Sequence, residues 1–109
     1  MPVPVRLTYA TAMVLQALDR GVTHGFDIIE TTGVRSGTVY PLLRRLEEAG
    51  LVRSRWEPVS VARRENRPPR KYYELTRQAD DMLAAVRVRF PALSSVPNGS
   101  TSTSKTRSV

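Results

Sequence analysis

Mainly α with a small β-hairpin is the fold class this sequence predicts, and three observations predict it. Residues 36–50 read as a capped amphipathic helix with a glycine stop. Residues 51–57 follow directly as a strand carrying arginines, and residues 70–75 look like that strand coming back. Further apolar repeats at helical spacing lie before and after this unit. The 109 residues suit one small domain with a modest core, which association with a second copy would help to stabilise.

Thr8 can cap a first helix running to about Arg20, with Gly21 as its stop. Ala10, Met13, Val14, Ala17 and Leu18 share one face of it. Thr23 or His24 opens a short second helix, with Phe26 and Ile29 on a common face and Gly33 at its end. In the third helix Ser36 is the expected N-cap, and Val39, Leu42, Leu43 and Leu46 recur at i, i+3, i+4 and i+7. Pro41 falls within this pattern. A regular helix starting near Thr38 would put it in the first turn, where a proline loses no backbone bond. Gly50 ends the helix in a left-handed conformation that glycine adopts cheaply.

Leu51 to Glu57 alternates, with Val52, Ser54 and Trp56 on one face and Leu51, Arg53 and Arg55 on the other. Trp56 is expected to pack into the core. Arg70 to Leu75 returns as a tyrosine-rich strand, in which one of Tyr72 and Tyr73 packs with Leu75 while the other faces outward. Residues 58–69 hold Pro58, Pro68 and Pro69 and four charges (Arg63, Arg64, Glu65, Arg67), so they read as an exposed loop. Thr76 is expected to cap a fourth helix, with Ala79, Met82, Leu83, Val86 and Phe90 as its apolar positions and Pro91 closing it. From Ser94 onward Ser, Thr, Pro, Asn and Gly dominate, a composition that cannot bury enough to fold. The expected organisation is a winged helix-turn-helix over 1–75, a C-terminal dimerisation helix over 76–91 and a disordered tail over 92–109.

The net charge of +7 is concentrated in one place. Residues 1–35 balance Arg6, Arg20 and Arg35 against Asp19, Asp27 and Glu30, and residues 36–50 balance Arg44 and Arg45 against Glu47 and Glu48. Residues 51–75 carry seven bases against Glu57, Glu65 and Glu74. A local basic patch of this kind points to a polyanion, with nucleic acid as the first candidate. The sequence has no cysteine, which excludes disulfides, thiolate metal sites and a cysteine nucleophile. With one isolated histidine, no Gly-rich phosphate loop and no clustered carboxylates, no constellation supports an enzyme. Neither a cofactor nor a metal is expected, and His24 reads as a capping or surface residue. No secretory signal or membrane-spanning run is evident, so the expected location is the cytoplasm, at the nucleoid.

Residues 36–52 (Ser-Gly-Thr-Val-Tyr-Pro-Leu-Leu-Arg-Arg-Leu-Glu-Glu-Ala-Gly-Leu-Val), taken with 67–76 (Arg-Pro-Pro-Arg-Lys-Tyr-Tyr-Glu-Leu-Thr), closely resemble the PadR family of bacterial transcriptional regulators. His24-Gly25-Phe26-Asp27-Ile28-Ile29 is similar to that family's second helix, and the likeness runs over roughly residues 8–90. The resemblance implies a homodimeric winged-helix repressor on double-stranded DNA, often regulating its own promoter or a neighbouring operon. It also implies pairing of the helix after the wing across the dimer. Asn66 stands where a glycine is common in the family, and Asn tolerates the same left-handed turn.

Within that reading the third helix packs one face and turns Ser36, Thr38, Tyr40, Arg44 and Arg45 toward DNA. Arg44 is the expected base-edge contact, because a guanidinium pairs bidentately with guanine. The alternative for Arg44 and Arg45 is surface pairing with Glu47 and Glu48. In the wing Arg63, Arg64, Arg67, Arg70 and Lys71 are expected on the adjacent minor groove or its phosphates. Met82, Leu83, Val86 and Phe90 are expected to mix intrachain core with dimer seam. A small-molecule effector would lie between the wing base, the first helix and the C-terminal helix, at the dimer interface. The competing function is a winged-helix protein-docking module that does not bind DNA specifically.

Overall fold

The computed structural model describes residues 5–94; of the disordered tail expected over 92–109, residues 92–94 belong to a short helix and the rest lie outside the described residues. Its elements are α1 (Tyr9–Asp19), α2 (Gly25–Thr32), α3 (Ser36–Glu48), β1 (Val52–Trp56), α4 (Val59–Arg64), β2 (Lys71–Leu75), a 3-10 turn (Arg77–Ala79), α5 (Asp80–Arg89) and α6 (Pro91–Ser94). This is a mainly helical domain with one two-stranded antiparallel hairpin. No helix among the described residues is long and apolar enough to cross a membrane.

Thr8 caps α1 as expected, its hydroxyl accepting from the Thr11 amide at 3.1 Å. The buried stripe of α1 is wider than its spacing suggested. Ala12 and Leu15 are fully buried beside Val14, Ala17 and Leu18, because α1 packs against α2, α3, β2, α5 and α6. In α2 the inward residue is Ile28, and Phe26 is 59% exposed, which corrects the face expected for that helix. A two-turn helix buries only a narrow strip, and here Gly25 and Ile28 occupy it.

Helix α3 begins at Ser36 with Arg35 in the N-cap position and no side-chain cap, so Ser36 is not the cap. Pro41 consequently lies beyond the first turn. It lacks the amide that would donate to the Gly37 carbonyl, a position on the exposed side of the helix. Val39, Leu42, Leu43 and Leu46 form the inward stripe, all within the central core. Gly50 ends the unit at φ +81, and the Leu51 amide closes back on the Leu46 carbonyl at 2.9 Å.

The hairpin register pairs Val52 with Leu75, Ser54 with Tyr73 and Trp56 with Lys71 on its inner face. The first two pairs cover the core, and Tyr73 is the buried member of the tyrosine pair. The third pair runs past it. Trp56 is therefore 64% exposed, and the expectation that it packs into the core is wrong. The alternation was right, but the strand outruns the core beneath it.

At the C-terminal end the Thr76 hydroxyl donates to the Gly50 carbonyl at 2.6 Å and does not cap the following turn. Pro91 opens α6 where a close was expected. Leu83 and Val86 are buried in the core of their own chain, so neither is available as a dimer seam. Met82 and Phe90 are partly buried against that core, and the Tyr9 and Phe90 rings meet edge-on at 5.6 Å. Val88 is left 80% exposed.

Candidate nucleic-acid interface

Helical geometry divides the outward surface of α3 into a ridge and two flanks. Gly37, Pro41 and Arg44 recur on the side opposite the buried stripe, and a side chain at Gly37 would meet nothing within 4 Å. Arg44 therefore stands above a low surface, in reach of whatever the helix approaches. Ser36, Thr38, Tyr40 and Arg45 are all exposed on the flanks. Among the described residues neither Arg44 nor Arg45 pairs with Glu47 or Glu48. Glu47 instead accepts from the Ser54 hydroxyl at 2.6 Å, which ties α3 to the hairpin.

The two flanks border different hollows. Thr38 and Arg45 line one with Arg6, Thr8 and Thr11 at the start of α1. Tyr40 lines the other, an open cleft of about 470 Å3 between α3, the start of α2 and the wing. Arg70, Lys71 and Trp56 also border it, over a floor that includes Tyr73. Burial is the main cause that raises the Tyr73 pKa, with Glu47 adding to it. The Lys71 ammonium sits 5.7 Å from the Trp56 ring centroid and 5.8 Å from that of Tyr73, within cation–π range. Gly25 leaves the Tyr40 ring room to lie over the start of α2. A Cβ would lie 2.6 Å from Tyr40 Cε1 and 2.8 Å from its hydroxyl.

Glu57 shapes the wing. Its buried carboxylate accepts both terminal nitrogens of Arg67 at 2.6 and 2.9 Å, the Tyr72 hydroxyl at 3.1 Å and the Arg70 amide at 3.3 Å. The Arg67 hydrogen bond is the largest of the effects that hold its pKa down at about 2. Arg67 is thus turned inward, and the structure removes it from the set of wing residues facing out. The segment it closes is also not a loop throughout. Val59–Arg64 forms α4, with Ala62 buried and Asn66 at φ +60 after its end. Arg63 and Arg64 are exposed at the end of α4.

On the hairpin's outer face Arg53 pairs with Glu74 at 2.7 Å and Arg55 lies 5.5 Å from the Tyr72 ring centroid. His24 bridges β2 at Tyr72, extending the sheet by one residue. Its Nδ1 is 3.2 Å from Asp27 Oδ2 but forms no hydrogen bond, and it occupies the N-cap position of α2 without capping it. The described residues hold no group of His, Cys, Asp or Glu fit for a metal.

A helix with an outward arginine that no carboxylate pairs among the described residues, followed directly by an arginine-bearing hairpin, is the arrangement of a winged helix-turn-helix. The family model described as the transcriptional regulator PadR-like family matches residues 14–85, and the chain belongs to that family. Solved structures similar to the chain include two regulators of this family. A PadR family transcription regulator from hypervirulent Clostridium difficile is 21% identical with a TM-score of 0.60, over 82% of this chain and 95% of that one. A PadR-like transcription factor from Bacteroides fragilis is 26% identical with a TM-score of 0.57, over 84% and 88%. No curated protein matches the chain.

Two features of this surface escaped the sequence reading. Residue type alone places Trp56 in the core, and charge alone places Arg67 on the outside. Alternation locates Trp56 on the correct face but carries no information on where the core ends. For Arg67 the available signal was Glu57, the one acid bordering the wing segment that falls at a strand end.

Proposed function

We propose that this protein is a homodimeric, sequence-specific DNA-binding repressor that occupies a short, roughly palindromic operator. Helix α3 enters the major groove, with Arg44 on a base edge and Ser36, Thr38, Tyr40 and Arg45 on the flanking backbone. The wing lies along the adjacent minor groove and its phosphate walls through Arg63, Arg64, Arg70 and Lys71. The observation that carries this reading is the outward ridge of α3, where Arg44 rises over Gly37 and Pro41 with no carboxylate paired to it among the described residues. Self-association is assigned to the C-terminal helix, through exposed Val88 and the open sides of Met82 and Phe90. Repression of its own promoter or a neighbouring operon is the direction the family resemblance implies.

The test is a footprint of the chain on its own upstream intergenic DNA. Protection of two half-sites about 10 base pairs apart, related by a dyad, supports the reading. Uniform or absent protection across that region contradicts it.

A further inference from the structure

Resting on the DNA-binding reading above, we propose that Trp56 is itself a DNA-contact residue. With Tyr40 and Lys71 it forms a seat for one sugar-phosphate unit of the strand passing between α3 and the wing. The inner face of the hairpin carries Trp56 beyond the core and over the cleft, leaving a large indole 64% exposed. A helix in the major groove and a wing on the adjacent minor groove are separated by one phosphate backbone. That backbone has to cross the surface between them, which is where the cleft lies.

The cleft's chemistry fits such an occupant. Tyr40, Trp56 and Tyr73 offer flat apolar surface, Arg70 and Lys71 supply positive charge, and no acidic side chain among the described residues lines it. The Lys71 ammonium is held near two ring faces, so its charge is placed beside an apolar wall. A deoxyribose next to its phosphate presents the matching pair, an apolar face beside an anion. Gly25 keeps the seat open, since any larger residue there would push the Tyr40 ring away.

Trp56 is the sole tryptophan of the chain, so its emission reports on this position alone. The experiment titrates the full chain with its upstream duplex and with a scrambled duplex, following duplex anisotropy and Trp56 emission together. The expected result is an emission change that tracks anisotropy on both duplexes. Trp56→Ala should keep its melting temperature and bind both duplexes about tenfold more weakly. Its salt slope should be unchanged, because the ring is neutral, whereas Lys71→Ala should lower the slope by about 0.9. Trp56→Phe should recover most of the affinity.

Rising anisotropy with constant Trp56 emission, and unaltered binding by Trp56→Ala, would overturn the seat while leaving DNA binding intact. Weakening confined to the upstream duplex would replace the backbone seat with base reading. No anisotropy change with any duplex would defeat the DNA-binding reading itself.

Discussion

Arg67 gives both terminal nitrogens to Glu57, whereas Arg44 has no carboxylate paired to it among the described residues. Two arginines that composition cannot tell apart thus have different assignments. Arg44→Ala should reduce discrimination between the operator and a scrambled duplex by roughly 10- to 100-fold, measured by competition binding, with little change in melting temperature. Glu57 gives a pH prediction whose sign follows from its depressed pKa. The carboxyl is held at about 2 when folded against an ordinary 4.5, so its contribution is complete above pH 4.5 and is lost as pH falls toward 2. The melting temperature of the wild type should exceed that of Glu57→Gln at neutral pH, and the gap should close across that window in a series of thermal melts. A gap independent of pH would contradict the clamp. At this scale the sequence was least legible, because whether a charge faces outward depends on one partner brought up by the hairpin register.

Helix α3 was the most legible element, since four apolar residues at helical spacing and a glycine stop need no tertiary information. Its inward stripe is buried as expected, and Leu43→Ala should destabilise the fold by about 2–5 kcal/mol in denaturant unfolding. Gly50 adds a sharper test. Its φ is +81, and a Cβ there would run into the side-chain oxygen of Gln78. Gly50→Ala should lose about 1–2 kcal/mol from the left-handed backbone alone. Asn66→Gly, at φ +60, should shift stability by no more than about 1 kcal/mol in either direction. Helix α4 was not legible. Six residues between prolines lie below the length at which local preference sustains a helix, and this one is held by burial of Ala62 and the Glu57–Arg67 closure. The start of α3 is hidden for a related reason: Ser36 is a good cap by residue type, yet the backbone turns one residue earlier, at Arg35.

In the whole molecule, α1 is the element on which the rest converge, and α5 joins the same core through Leu83 and Val86. The C-terminal helix therefore has less apolar surface for a partner than its sequence stripe suggested. If Val88 is part of the proposed dimer contact, Val88→Asp should move the sedimentation profile from dimer toward monomer while leaving the helical signal intact. An unchanged dimer would assign self-association elsewhere. The basic surplus of residues 51–75 also makes DNA binding strongly salt-dependent, with affinity falling as phosphate contacts exchange for ions. The most direct test is an anisotropy titration of the upstream duplex against a scrambled one at several salt concentrations. A preference on the order of a thousandfold for the upstream duplex, with both affinities falling steeply with salt, is the predicted result. Equal affinity for the two duplexes, or binding indifferent to salt, would contradict it.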